Sequence, residues 1–320
     1  MIGIACDCRN VFVTNGQPCS AITIGVCNGA CLAKFVPNLV RLLVVCGIGV
    51  VPVCLPILCW FYRCHAQMLL VGGADFWVVA SFFILLPPSE GKAEGGLTTK
   101  PWRETSGAFG KQLSAQRTEL VQRLVTLKGG DEKLLGVKGV HLGRARAANA
   151  HLKGAPSLPA FERYTGVVWD HLDLSTLTAP QRTRALRSIV VISGLLGAVR
   201  ADDPTPDYRL KMGARMAPMG LVSRYWHDHL SAVLNKAFAG STVIDLLPNE
   251  HRAAFTADTE KIANYFVVGL NEKTGKAGGH DAKAAKGRLA RHILTTCTSP
   301  AGALKSLKSF RDPRFVVEID

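Results

Sequence analysis

Residues 42–62, LLVVCGIGVVPVCLPILCWFY, carry no charged side chain and are bracketed by Arg41 and Arg63. Of all the features of this chain, this run most restricts what it can fold into. As a helix, 21 residues are long enough to cross a hydrocarbon core of about 30 Å. Pro52, Pro56, Gly47 and Gly49 work against a helix there, although membrane helices tolerate such residues better than soluble ones do. A secretory signal does not fit. The opening MIGIACDCRN has no basic segment ahead of an apolar one, and the long run lies too far into the chain.

The run is part of a wider break in character near residue 80. Nine of the ten cysteines lie at or before Cys64, leaving Cys297 alone beyond it. Residues 1–80 hold four basic side chains (Arg9, Lys34, Arg41, Arg63) and two acidic ones (Asp7, Asp75); the remaining 34 basic and 22 acidic residues give residues 81–320 a net charge of +12. A surplus of that size favours an anionic partner, such as nucleic acid, a phosphorylated molecule or an anionic membrane. The early cysteines (Cys6-x-Cys8, Cys27-x3-Cys31, then Cys54, Cys59 and Cys64) do not match a paired zinc ribbon. Residues 1–80 are therefore expected to be an apolar, Cys-rich extension read from a gene start placed too early, with Val78 or Val79 close to the true start. A membrane segment is the second reading. Residues 81–320 form the functional domain.

That domain opens with SFFILLPPSEGKAEGG. Residues 82–86 read as a buried strand, ended by Pro87-Pro88 because proline cannot donate to a ladder. Ser89-Glu90-Gly91-Lys92 then forms a polar loop where ligands are commonly held; an ordinary turn is the plainer reading, and Ala93 after Lys92 rules out a P-loop. Residues 114–127 read as an amphipathic helix with Ser114 as N-cap and Gly129-Gly130 as its stop. Next come Leu134-Leu135, the turn Gly136-Val137-Lys138-Gly139 and a small-residue helix from about Leu142. This is the order of a helix-hairpin-helix, whose hairpin amides can face a phosphate, with Lys138, His141, Arg144 and Arg146 as countercharge. A helical connection with exposed basic residues is an equal reading.

Asp170, His171 and Asp173 need not face one way, so solvated acids at a helix start fit better than a metal site. Residues 189–192, IVVI, form a buried strand. The long connection after it carries Arg200, Asp202, Asp203, Asp207, Tyr208, Arg209 and Lys211, at the end of a strand where open sheets bind ligands. His227 and His229, two apart on a helix, make a poor metal pair. Residues 242–247 and 264–270 are further strands, 271–276 a hairpin turn, and 315–319 a last strand. Residues 280–294 form a basic helix in which Lys283 and Lys286 share a face.

LLPPSEGK at 85–92, YTG at 164–166, SGLLGAVRADDPTPDYRLKMG at 193–213, VIDLLPNEH at 243–251 and AKAAKGRLAR at 282–291 occur in that order. Together they resemble the YaaA family of peroxide-stress proteins, from about residue 82 to the end. The resemblance implies an α+β fold: one compact mixed α/β domain with a basic cleft and a helix-hairpin-helix element. It implies a cytoplasmic protein that binds DNA largely without regard to sequence and limits iron-driven oxidative damage. Carried over, the cleft residues are Lys92, Tyr164, Arg200, Tyr208, Arg209, Lys211, Lys283 and Lys286, and the hairpin is Gly136, Val137, Lys138 and Gly139. No cofactor, metal site or reaction comes with it. The alternative is an enzyme acting on a nucleotide, nucleobase or nucleic acid, with Glu90 or Asp207 as general base and Arg209 or Lys211 on a phosphate. It is motivated by the acids among these basic residues, for which a passive DNA surface has little use.

Overall fold

A computed structural model describes residues 82–275 and 279–320 in full and, before them, only the backbone of six short strands. The chain divides into two compact units, Met1–Trp77 and Val78–Asp320. In the first, Gly3–Asp7, Asn10–Thr14, Ile22–Cys27 and Ala30–Ala33 form an antiparallel four-stranded sheet, and Val45–Cys46 pairs with Gly49–Val50. The proposed span at residues 42–62 otherwise lies outside the described residues. No described helix is long and apolar enough to cross a membrane.

The second unit is a mixed α/β domain built on a six-stranded sheet. In chain order its strands are β1 (Phe82–Leu86), β2 (Ile189–Ser193), β3 (Gly197–Arg200), β4 (Thr242–Asp245), β5 (Asn264–Glu272) and β6 (Phe315–Ile319), with spatial order β3-β2-β1-β4-β5-β6. The four central strands are parallel and the two edges antiparallel. Ile84 to Leu86 and Ile189 to Ile192 are fully buried, as continuous apolar strands covered on both faces must be. From β1 the chain crosses to β2 on one side, whereas β4 continues to β5 on the other. The strand order therefore reverses between β1 and β4, which leaves a crevice at their carboxyl ends.

Helices cover the sheet in two groups. Gly110–Thr126 packs on Gly139–Ala150 and Val222–Ala237, while Gly279–Thr296 packs on Val167–Leu172, Ala179–Ser188 and Ala303–Ser309. The first helix begins four residues before Ser114, with Phe109 at its N-cap; Ser114 instead donates to the Lys111 carbonyl at 3.1 Å. Among the described residues, two helix starts have side-chain caps. Asp131 accepts from the Leu134 amide at 2.8 Å, and the Thr178 amide donates to Gln181 Oε1 at 3.1 Å. Of the expected hairpin turn at 271–276 the turn is present, the Gly275 amide donating to the Glu272 carbonyl at 3.0 Å. It does not close a hairpin: β5 runs on to Glu272, pairs with β6, and the next described element is a helix from Gly279.

The connection after β2 is also more regular than its glycines and prolines predict. Gly197, at φ 68°, reverses the chain in a conformation that disfavours a side chain. A Cβ there would meet the Trp226 ring at 2.8 Å. The following residues pair back along β2, Arg200 lying opposite Val190.

Candidate functional site

The crevice is a pocket of about 640 Å³. Its walls are the loop after β1 (Pro87 to Lys92), the segment after β4 (Leu247 to Arg252), Val268 to Leu270 of β5, Thr165 to Trp169, Tyr208 to Lys211, and the start of the Gly279–Thr296 helix. Among the described residues, Lys92, Arg209, Lys211, Arg252, Lys283 and Lys286 line it against two carboxylates, Glu90 and Glu250. The indole of Trp169 donates to the Pro87 carbonyl at 3.3 Å and ties the β1 loop to the opposite wall.

Lys92 is the most enclosed of these cations, 8% exposed. Its Nζ donates to the Ser89 carbonyl at 2.9 Å and lies 4.2 Å from the centre of the Tyr208 ring and 5.6 Å from that of Tyr164. Burial lowers its ammonium pKa to about 7; Asp207 and Glu90 oppose the shift, while Arg209 and Arg163 add to it. The main chain holds it in place, pairing with Tyr164 and accepting from Arg144 at 2.8 Å. Behind it the Tyr164 and Tyr208 hydroxyls are 3.0 Å apart, and Tyr208 meets Ser193 Oγ at 2.6 Å. Burial raises both phenols, Tyr208 to about 12, so they form a neutral hydrogen-bonded chain.

Glu90 is a clamp. Its two oxygens take Arg209 at 2.6 Å and Lys211 at 2.8 Å. Burial works against its charge, but Lys211 and Arg209 outweigh it and hold the carboxyl below its ordinary range, an unfavourable state for a general base. The same Arg209 donates to the Leu135 carbonyl at 3.0 Å, and Lys211 lies against Gly136, where a Cβ would meet its Nζ at 3.2 Å. The Gly136–Gly139 turn thus borders the pocket rim. It follows the short helix Glu132–Leu135, with Gly136 at φ 61° and Gly139 at φ 57°. Val140, just beyond, is 84% exposed.

On the far wall, buried Asp245 accepts from Arg252 at 2.7 Å, from Tyr265 at 2.9 Å and from the Leu247 amide at 2.7 Å. Lys286 donates to the Leu246 carbonyl. Burial lowers its pKa to about 8, opposed by Asp245 and helped by Arg252. Lys283 lies one turn earlier and is exposed.

Six of the eight predicted cleft residues therefore line one pocket: Lys92, Tyr208, Arg209, Lys211, Lys283 and Lys286, with Glu90 among them. Tyr164 stands directly behind. Arg200 is placed elsewhere, because the β2–β3 turn carries it back to the amino end of β2, where it pairs with Asp202 at 3.3 Å. Asp207 pairs with Arg144 at 3.1 Å and is not in the pocket wall. Sequence reasoning missed His251 and Arg252 as organisers of the site, and it assigned Arg144 to the hairpin as countercharge, whereas Arg144 donates to the Lys92 carbonyl and pairs with Asp207. His251 is buried, its Nδ1 has no hydrogen-bond partner, and the nearest carboxylate, Glu250, is 3.6 Å away. Burial and nearby Lys286 lower it to about 4, so the ring is neutral. Its signal was the PNEHR segment directly after a strand. Among the described residues, no three His, Cys, Asp or Glu gather as a metal set.

Fold and pocket define a mixed α/β protein with a cation-lined site at the switch point of its parallel strands. Residues 82–319 match the family model described as Peroxide stress protein YaaA. A UPF0246 protein of Streptomyces coelicolor is 37% identical over 242 residues, covering 74% of this chain and 92% of its own. One from Corynebacterium efficiens is 31% identical over 247 residues, covering 74% and 95%. An uncharacterized protein of Campylobacter jejuni is 28% identical over 211 residues, covering 64% and 82%. The chain belongs to the YaaA peroxide-stress family.

Proposed function

We propose that this protein binds DNA largely independently of sequence, in the cytoplasm, and by doing so limits iron-driven oxidative damage during peroxide stress. The observation that carries the reading is the charge of the pocket: among the described residues five cations besides Lys92 line it against two carboxylates, in a domain of net +12. Such a surface releases counterions from phosphates on binding and needs no base contacts to do so. We read the short helix, the Gly136–Gly139 turn and the Gly139–Ala150 helix as a helix-hairpin-helix element beside a basic cleft. Its exposed Lys138 and the unpaired first amides of the second helix suit a phosphate.

The test is a salt-titrated binding assay with the full chain. Two double variants, Arg209→Ala/Lys211→Ala and Lys283→Ala/Lys286→Ala, are compared with the parent. Each is expected to lose about tenfold or more in affinity and to flatten the log–log salt slope by up to about two. Unchanged binding in both would overturn the reading. An enzyme acting on a nucleotide or nucleic acid is the second reading, and the observation favouring it is Lys92, a buried amine without a carboxylate partner among the described residues.

A further inference from the structure

We propose that Lys92 is a nucleophile that condenses with an aldehyde carried next to a phosphate, as in a deoxyribose of DNA that has lost its base or in a free sugar phosphate. The inference rests on the DNA-binding reading for its DNA form and on the pocket alone for its chemistry.

Three observations carry it. Lys92 lines the pocket yet forms no ion pair among the described residues, and a single carbonyl, Ser89, accepts from its Nζ. A lysine kept only to hold phosphate gains nothing from such burial, since the charge it needs is the form burial disfavours. The amine is also fixed in place. Its backbone pairs with Tyr164 and accepts from Arg144, and its tip rests on the Tyr208 face, so little freedom is lost when it attacks. Finally, the groups suited to the neighbouring phosphate are already present: Arg209 and Lys211 share one carboxylate, and Lys283 is exposed on the same pocket. The lowered pKa of Lys92 agrees with this arrangement, since near neutral pH much of the amine is in the unprotonated form that attacks carbonyl carbon.

The step balances without a redox partner. The Lys92 nitrogen bonds to the aldehyde carbon, the carbonyl oxygen leaves as water with the two amine hydrogens, and a carbon–nitrogen double bond remains. The pocket volume, about 640 Å³, is in the range that accepts one sugar phosphate with room for a flanking group.

The experiment is reductive trapping. The full chain is incubated with sodium borohydride and one of three probes: a duplex with a single abasic site, the same duplex intact, or 2-deoxyribose 5-phosphate. Adducts are read by intact mass and located by peptide mapping. The expected result is an adduct with one or both aldehydes, none with the intact duplex, mapped to Lys92 in the parent protein and lost in both Lys92→Gln and Lys92→Arg. Mapping on the parent makes the outcome independent of whether a variant folds. No adduct with either aldehyde, or an adduct on other lysines, overturns the proposal. A parent protein that shifts intact duplex but gives no adduct loses this inference and keeps the DNA reading. One that traps the sugar phosphate but shifts no duplex keeps Lys92 and loses the DNA reading.

Discussion

Two kinds of buried cation stand a short distance apart in the chain. Arg117 and Arg163 are fully buried. Arg117 donates to the carbonyls of Leu196 at 2.9 Å, Ala198 at 2.9 Å, Glu104 at 3.0 Å and Ser106 at 2.7 Å. Arg163 does the same for Thr205, Gly95, Pro156 and Ala93. Each planar fork closes loops that would otherwise leave carbonyls unpaired. Lys92, in contrast, spends one donor on one carbonyl and turns the rest toward two rings and a cavity. Burial alone does not separate scaffold from site; the saturation of the donors does.

The contrast breaks most visibly in stability. Arg117→Met strands four carbonyls and should cost on the order of 4 kcal/mol in urea unfolding; a loss under about 1 kcal/mol would erase the distinction. Lys92→Met should leave stability at pH 7 within about 1 kcal/mol of the parent or raise it, because an apolar side chain replaces a buried amine that has one hydrogen bond and no ion pair among the described residues. A Lys92→Met loss as large as that of Arg117→Met would place Lys92 in the scaffold.

The pH profile sharpens the comparison further. Unfolded, Lys92 holds its proton up to about 10.5, but folded it releases it near 7. The unfolded state therefore binds more protons between these values, and stability rises with pH across that window. Urea midpoints for the parent should climb from pH 7 to pH 9. The climb should shrink in Lys92→Met, leaving the smaller rise from Lys286, which starts near 8. Equal climbs in both proteins would contradict the assignment. The smallest effect belongs to Glu90→Gln. Its ion pairs are partly exposed, so stability should change by less than about 1 kcal/mol. Freed of their carboxylate, Arg209 and Lys211 should tighten DNA binding and steepen the salt slope by about one. Weaker binding in a gel shift would count against the pocket as the DNA site.

Five of the six sheet strands were legible because each is a short apolar or β-branched run with breakers beside it. The sixth, Gly197–Arg200, was not, since its glycine and the prolines that follow resemble an irregular loop, whereas the pairing that defines it is made with residues at 190–193. That one missed strand is why Arg200 was grouped with Arg209 and Lys211. Lys92, Tyr208 and the 283–286 pair were found from family-like segments, but their meeting is a product of strand order that no local pattern carries. His251 escaped because a buried neutral imidazole and a surface histidine look alike in sequence.

The pocket walls come from residues as far apart as Pro87 and Lys286, with a consequence for synthesis. At roughly 5–20 residues per second, Lys92 emerges from the ribosome some 10–40 s before Lys286. During that interval the amine has no far wall beside it. The site is thus assembled only near the end of translation, and a chain cut before the last long helix is born without it.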